Sequence, residues 1–176
     1  MAATTGPASE VVILCGLKDV LMPFGSPCKD HYTRTGTDEL AAKVRAVGPK
    51  IGVVLDGIHQ RSPHARVLLI GYPVILPDSG IGCWPLVPIS AGDVPYLRDT
   101  AKLLNTVMAE QAATHRATYV DTYTSSIGHD VCQAPGVTWM EGLFPTAPAA
   151  PLHPNVLGAQ NQARQVLNAL GQATPS

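Results

Sequence analysis

Charge is scarce in this sequence. Asp, Glu, Lys and Arg make up 14% of its 176 residues, and the signs nearly cancel, with Lys+Arg 12 against Asp+Glu 13. Nucleic-acid binding needs a basic stripe to neutralise phosphates, and none is present, so nucleic acid is not an expected partner. No polybasic cluster marks a membrane anchor. Long apolar runs are also lacking. The longest, residues 11–15 and residues 67–70 with a continuation to 76, fall well short of the roughly 20 residues of a spanning helix, so stable membrane insertion is not expected. The first ten residues carry neither a basic n-region nor an apolar h-region, and no signal peptide is expected in this chain. The histidines have no metal-ligand spacing, and neither Cys-x-x-Cys nor His-x-x-x-His occurs, so the expectation is no metal and no cofactor.

What is present describes a globular chain. Hydrophobic residues make up 45% of it, and its length is enough to bury a core as one domain. The 16 prolines and 16 glycines imply many sharply bounded loops. No internal repeat and no linker is visible.

The apolar, β-branched run at residues 11–15 reads as a buried strand ended by Gly16. Residues 22–34 read as a loop. Thr37 is placed to cap a helix carrying Leu40, Val44 and Val47, and Gly48-Pro49 interrupts it. Pro49 then opens a second helix with Ile51, Val54, Leu55 and Ile58 as its core-facing stripe. Residues 66–73 are the clearest strand, apolar on both faces and stopped by Pro73. Asp93 is placed to cap a long helix ending near His115, with Leu97, Leu104, Val107, Met108 and Gln111 along one side. Residues 118–121 form a third strand, and residues 122–152 a long irregular stretch of a kind that is usually functional. A helix follows at 156–170. Strands alternating with helices imply a parallel sheet with helices on its faces.

The most informative stretch is Pro151-Leu152-His153-Pro154-Asn155. One imidazole sits between two prolines at the start of the last helix, as expected of a catalytic base. The same sheet edge collects Gly16 to Asp19, Tyr72 to Gly80 and Asp121 to His129.

The ordered set of short motifs resembles the SGNH (GDSL-type) serine hydrolases, in their secreted actinobacterial lipase and esterase branch. The matching stretches are Gly36-Thr37-Asp38-Glu39-Leu40, Ser62-Pro63-His64-Ala65-Arg66-Val67 through Gly71-Tyr72-Pro73, and Gly82-Cys83-Trp84-Pro85. Tyr119-Val120-Asp121, Gly128-His129-Asp130-Val131-Cys132 and His153-Pro154-Asn155 with Gly158 follow in family order. The resemblance implies an α/β fold, a three-layer α/β/α sandwich with a flavodoxin-like parallel sheet lacking its first strand. It implies a single domain over residues 1–176, without the family's N-terminal Gly-Asp-Ser nucleophile block.

Carried over by position, the family's base is His153. The carboxylate that usually orients it falls on Ala150, whose backbone carbonyl would take that part. The oxyanion block falls on Gly16, Lys18 and Asp19, with Lys18 in place of the family's asparagine. Ser79 is the substitute nucleophile candidate, and a plain turn residue is its other reading. The resemblance also implies a Cys83–Cys132 disulfide, and hence an oxidising, extracellular compartment. Cys28 has either Cys15 or no partner. His129 with Asp130 is either a second acid/base pair or a surface loop. Tyr72, Trp84 and Trp139 either wall an acyl pocket or simply pack. The expected function is hydrolysis of a small-molecule or lipid carboxylic ester. The alternative is a degenerate, non-catalytic domain that binds a ligand or partner.

Overall fold

A computed structural model gives the structure of the protein and describes residues 21–171. The strand expected at 11–15 lies outside them. The described elements are α1 (Pro27–Thr33), α2 (Glu39–Arg61), β1 (Leu68–Ile70), α3 (Asp93–Thr114), β2 (Thr118–Val120), a 3₁₀ turn at Thr124–Ser126 and α4 (Val156–Gly171). The fold is α/β. β1 and β2 are parallel, with Leu68, Leu69 and Ile70 opposite Thr118, Tyr119 and Val120. Parallel neighbours need a crossover, and α3 supplies it, packing on both strands while α4 packs on β2.

Both strands stand where their apolar runs place them but are shorter than expected. The ladder ends when Gly71 N–H donates to the Val120 carbonyl at 3.0 Å. Beyond it, the buried Asn105 side chain on α3 takes both backbone groups of Tyr72. Its carbonyl accepts from Tyr72 N–H at 2.8 Å, and its amide donates to Tyr72 C=O at 2.9 Å. Asn105 thus substitutes for a neighbouring strand, and Pro73 has no N–H to continue one.

Residues 39–61 form one helix, not two. Asp38, not Thr37, caps it, accepting Ala41 N–H at 2.9 Å. An internal proline costs an isolated helix about 3 kcal/mol, and here packing on α3 offsets it. Gly48 lets the two helices approach: a Cβ there would stand 3.1 Å from Val107 Cγ1. The buried row is Leu40, Gly48, Gly52, Leu55 and His59. Of the expected stripe only Leu55 is fully buried, and Val54 is 60% exposed. The small residues face α3 because they permit contact, which an apolar periodicity does not reveal.

The expected loop at 22–34 contains α1. Pro27 at its start presets the backbone, but its cap comes from far away. Asp93, wholly buried, accepts Cys28 N–H at 2.7 Å and Lys29 N–H at 2.8 Å. Asp93 therefore caps α1 from the first turn of α3, whose own N-cap is Gly92. Cys28 is disulfide-bonded, and the reading of Cys15 as its partner falls outside the described residues.

The main core cluster is built largely from loops: Leu76, Val87, Val131 and Met140, with Val94 from α3. A disulfide joins Cys83 to Cys132 across 49 residues of sequence. In the chain-entropy account a closed loop of this length contributes about 4 kcal/mol. Core and disulfide together hold the long connections at the C-terminal ends of β1 and β2.

Asp93→Ala removes two charge-assisted hydrogen bonds to the start of α1. It is expected to lower unfolding free energy by about 2 kcal/mol, read from the urea midpoint at unchanged m-value.

Candidate active site

His153 sits in a turn with two acceptors. Its backbone N–H donates to Ala150 C=O at 3.1 Å, and its Nδ1 lies 2.8 Å from Pro151 C=O. The orienting carbonyl on the imidazole is therefore Pro151's, where the sequence points to Ala150. The one-residue difference follows from the turn. Pro151 and Leu152 are its central residues, and Leu152 is left-handed at φ 59°, the pattern of a type II turn that ordinarily wants glycine there. In that turn the Ala150 carbonyl closes the backbone, which leaves the Pro151 carbonyl to the side chain. A carbonyl only accepts, so Nδ1 carries the proton, and the lone pair of the neutral ring is on Nε2.

The turn is held from behind by a short antiparallel bridge. Leu152 N–H donates to Glu141 C=O, Glu141 N–H to His153 C=O, and Asn155 N–H to Trp139 C=O, each at 3.0 Å. The Glu141 side chain, 1% exposed, adds a second tie. It accepts from Asn155 Nδ2 at 2.8 Å, Thr146 N–H at 2.6 Å, Thr146 Oγ1 at 3.1 Å and Ala147 N–H at 3.3 Å. Burial works against its charge, but the Asn155 amide and the Thr146 and Ala147 donors outweigh it and hold the carboxyl below its ordinary value.

Asn155 serves two elements. Its amide also reaches Thr138 C=O at 2.9 Å, while its Oδ1 caps α4 by accepting Leu157 N–H at 2.9 Å and Gly158 N–H at 3.2 Å. Gly158 is what lets α4 start so close to the bridge, since a Cβ there would stand 2.5 Å from Trp139 O. In the sequence Asn155 enters only as the flank of His153, and Glu141 has no role. The Asn one residue before the apolar period of α4 was the signal available for the cap, and nothing local marks Glu141.

A cleft of about 310 Å³ opens at this turn, lined by Ile70, Gly71, Tyr72, Pro73, Ile75, Met140, Leu152, His153, Pro154 and Gln162. Its far wall is the chain leaving β1, pinned by side chains. Thr122 Oγ1 donates to Gly71 C=O at 2.6 Å, and Val74 N–H donates to Ser126 Oγ at 2.9 Å. The cleft is an apolar slot with one imidazole at its rim.

The structure brings Tyr72 and His153 to the same cleft. Ser79 is exposed and does not line it. The neighbouring Asp78 belongs to a separate groove with Lys102 and Tyr123, where the Lys102 ammonium at 2.6 Å and the Tyr123 hydroxyl at 2.8 Å hold its carboxyl below the usual range. Ala150 lies in the turn but makes no contact with the imidazole nitrogen. Gly16, Lys18 and Asp19 fall outside the described residues. Trp139 stacks on His129, centroids 3.6 Å apart, and His129 Nδ1 reaches Val137 C=O at 2.6 Å. Asp130 is buried and takes Cys132 N–H and Gln133 Nε2, so His129 and Asp130 each serve local structure. Neither Trp139 nor Trp84 lines the cleft. Among the described residues no group of three or more His, Cys, Asp or Glu is placed to hold a metal, and no helix is long and apolar enough to cross a membrane.

Comparison with known proteins gives one consistent result. The model of the GDSL-like Lipase/Acylhydrolase family matches residues 3–160. Lipase 2 of Streptomyces coelicolor is 40% identical over 164 residues, covering 92% of this chain and 55% of that protein. Among solved structures, phospholipase A1 from Streptomyces albidoflavus superposes with a TM-score of 0.70 at 22% identity, covering 99% of this chain and 66% of that one. An extracellular lipase from Streptomyces rimosus gives 0.62 at 25% identity, covering 95% and 66%. The chain spans about half the length of the curated relatives it matches.

Glu141→Gln places an amide N–H against donors that now meet a carboxylate. It is expected to lower stability near neutral pH by about 3 kcal/mol. Because the folded carboxyl titrates below its unfolded value of 4.5, its stabilisation is present above pH 4.5 and is lost as pH falls through the folded value. Thermal melts from neutral pH into acid should show a shallower acid limb for the variant. Parallel limbs would assign the acid sensitivity to another group.

Proposed function

The chain belongs to the GDSL-like lipase/acylhydrolase family, and from that premise we propose that it is a carboxylic ester hydrolase in which His153 is the catalytic base. The observation that carries the proposal is the Nδ1 contact to the Pro151 carbonyl at 2.8 Å beside an apolar cleft. It fixes the tautomer in which Nε2 can accept a proton. In the proposed reaction a serine hydroxyl attacks the ester carbonyl while Nε2 takes its proton, giving a tetrahedral oxyanion and an imidazolium. The Pro151 carbonyl stabilises that imidazolium. Collapse of the intermediate expels the alcohol, which takes the proton back from Nε2, and water then releases the acid by the same route.

No serine, threonine or cysteine side chain lines the cleft among the described residues. The proposal therefore takes its nucleophile, and the oxyanion donors expected at Gly16, Lys18 and Asp19, from outside residues 21–171. Ile75, Met140 and Leu152 suit an acyl chain, so the substrate class is a small-molecule or lipid ester. The disulfides favour an oxidising, extracellular setting, in keeping with the likeness to an extracellular lipase. That no hydroxyl or thiol lines the cleft among the described residues equally favours a second reading, a degenerate domain that retains the cleft and binds without turnover.

Purified 1–176 assayed with a short-chain nitrophenyl ester separates the two. Hydrolysis lowered about 10⁴-fold or more by His153→Ala supports the catalytic reading. Folded protein without turnover supports the binding reading.

A further inference from the structure

On α3, Leu97 and Arg98 each stand one turn before Ala101, so the three share a face. That face closes a second cavity, of about 150 Å³, whose apolar wall is completed by Ile75, Leu76 and Ile89 from the loops. Leu152 lines it too, and Ile75 and Leu152 also line the His153 cleft. Ile75, Ile89, Leu97 and Leu152 pack on the main core cluster. Packed interiors leave few voids larger than a water molecule, so an apolar cavity beside this core with a cation in its wall is a site to be accounted for.

Arg98 is that cation, and its side chain is only 15% exposed. Nε donates to Asp99 Oδ1 at 3.2 Å, and Nη1 reaches the Pro77 carbonyl, next to Leu76, at 3.5 Å. A guanidinium carries five N–H donors in a planar fork. Among the described residues no hydrogen bond takes up those of Nη2. Asp99 is 66% exposed, so water screens its hold on Nε. Asp78, the other carboxylate nearby, is already held by Lys102 and Tyr123.

We propose that this cavity binds a short alkanoate, with its chain against Ile89, Leu97 and Ala101 and its carboxylate on the Nη2 edge of Arg98. The chemistry selects the ligand. A planar guanidinium edge matches a carboxylate, and the wall accepts an alkyl chain. An apolar cavity of this volume holds a molecule the size of benzene, which limits the chain to about six carbons. Asp78 and Asp99 stand near the same cation, so a monoanion is favoured over a phosphate dianion. An alkanoate is the acid class that ester hydrolysis releases, so product sensing rests on the ester-hydrolase reading, whereas binding does not. The route for such sensing is Leu152, which lines both spaces and directly precedes His153.

The test is an NMR titration of the full 1–176 chain at neutral pH with sodium hexanoate and, separately, 1-hexanol. Hexanoate is expected to bind at least about tenfold more tightly than the alcohol. Arg98→Gln should erase that difference. Asp99→Asn, at an exposed position, should tighten hexanoate severalfold by removing the competing carboxylate, which keeps the proposal testable even if the Arg98 variant fails to fold. Ala101→Leu should remove hexanoate binding by filling the cavity. His153→Ala should bind hexanoate normally, which separates this site from the cleft and binding from turnover. Equal affinity for acid and alcohol, no saturable binding, or hexanoate binding lost in His153→Ala and kept in Arg98→Gln would each overturn the proposal.

Discussion

The buried carboxylate of Glu141 is the constraint on which the candidate site depends. An ionised carboxylate taken out of water is destabilising unless donors surround it. Four donors do so here, and they come from segments that must be brought together: Thr146 and Ala147 from the loop beyond, and Asn155 from the start of α4 (Val156–Gly171). The arrangement is all or none, because releasing one segment leaves a buried charge short of partners. Asn155 extends it by capping α4 with its other side-chain atom. The position of the helix, the carboxylate and the His153 turn are thus one condition.

Much of the fold follows from local pattern. The final helix stands at the expected place because its apolar period and its cap lie within a few residues of each other. Both described strands stand inside the stretches that read as strands, residues 66–73 and 118–121. What does not follow depends on partners distant in sequence. Asp93 reads as the cap of its own helix, yet it caps α1 across 64 and 65 residues. Residues 39–61 read as two helices because proline and glycine break local propensity, and only the facing helix 93–114 reveals why both are tolerated. The strand end at Tyr72 is set by Asn105, 33 residues away, in a helix whose apolar pattern does not announce it.

The site itself was legible in part. His153 stands out because a histidine flanked by prolines at a helix start has few structural reasons to exist. Which carbonyl orients it was not legible, since Ala150 and Pro151 differ by one residue and the choice rests on the backbone of Leu152. Glu141 gave no signal, because a lone glutamate in an irregular stretch looks like any solvated loop residue. Ser79, beside a turn glycine, has the local pattern of a possible nucleophile, but it is exposed and is not among the residues that line the cleft.

Leu152 shows how the turn resists its own preference. A left-handed leucine costs about 1 kcal/mol or more relative to glycine. Glycine would remove that strain, but it would also remove a side chain that lines the cleft and packs against the loop core with Met140 and Val131. It would further widen the conformations open to the residue immediately before the imidazole. The backbone tie from Leu152 N–H to the Glu141 carbonyl holds the residue in place, so the strain is stored locally and the Pro151 carbonyl stays against Nδ1. The buried carboxylate and the strained turn are therefore coupled. The first fixes where residues 150–155 run, and the second converts that position into a single imidazole tautomer at the mouth of an apolar cleft.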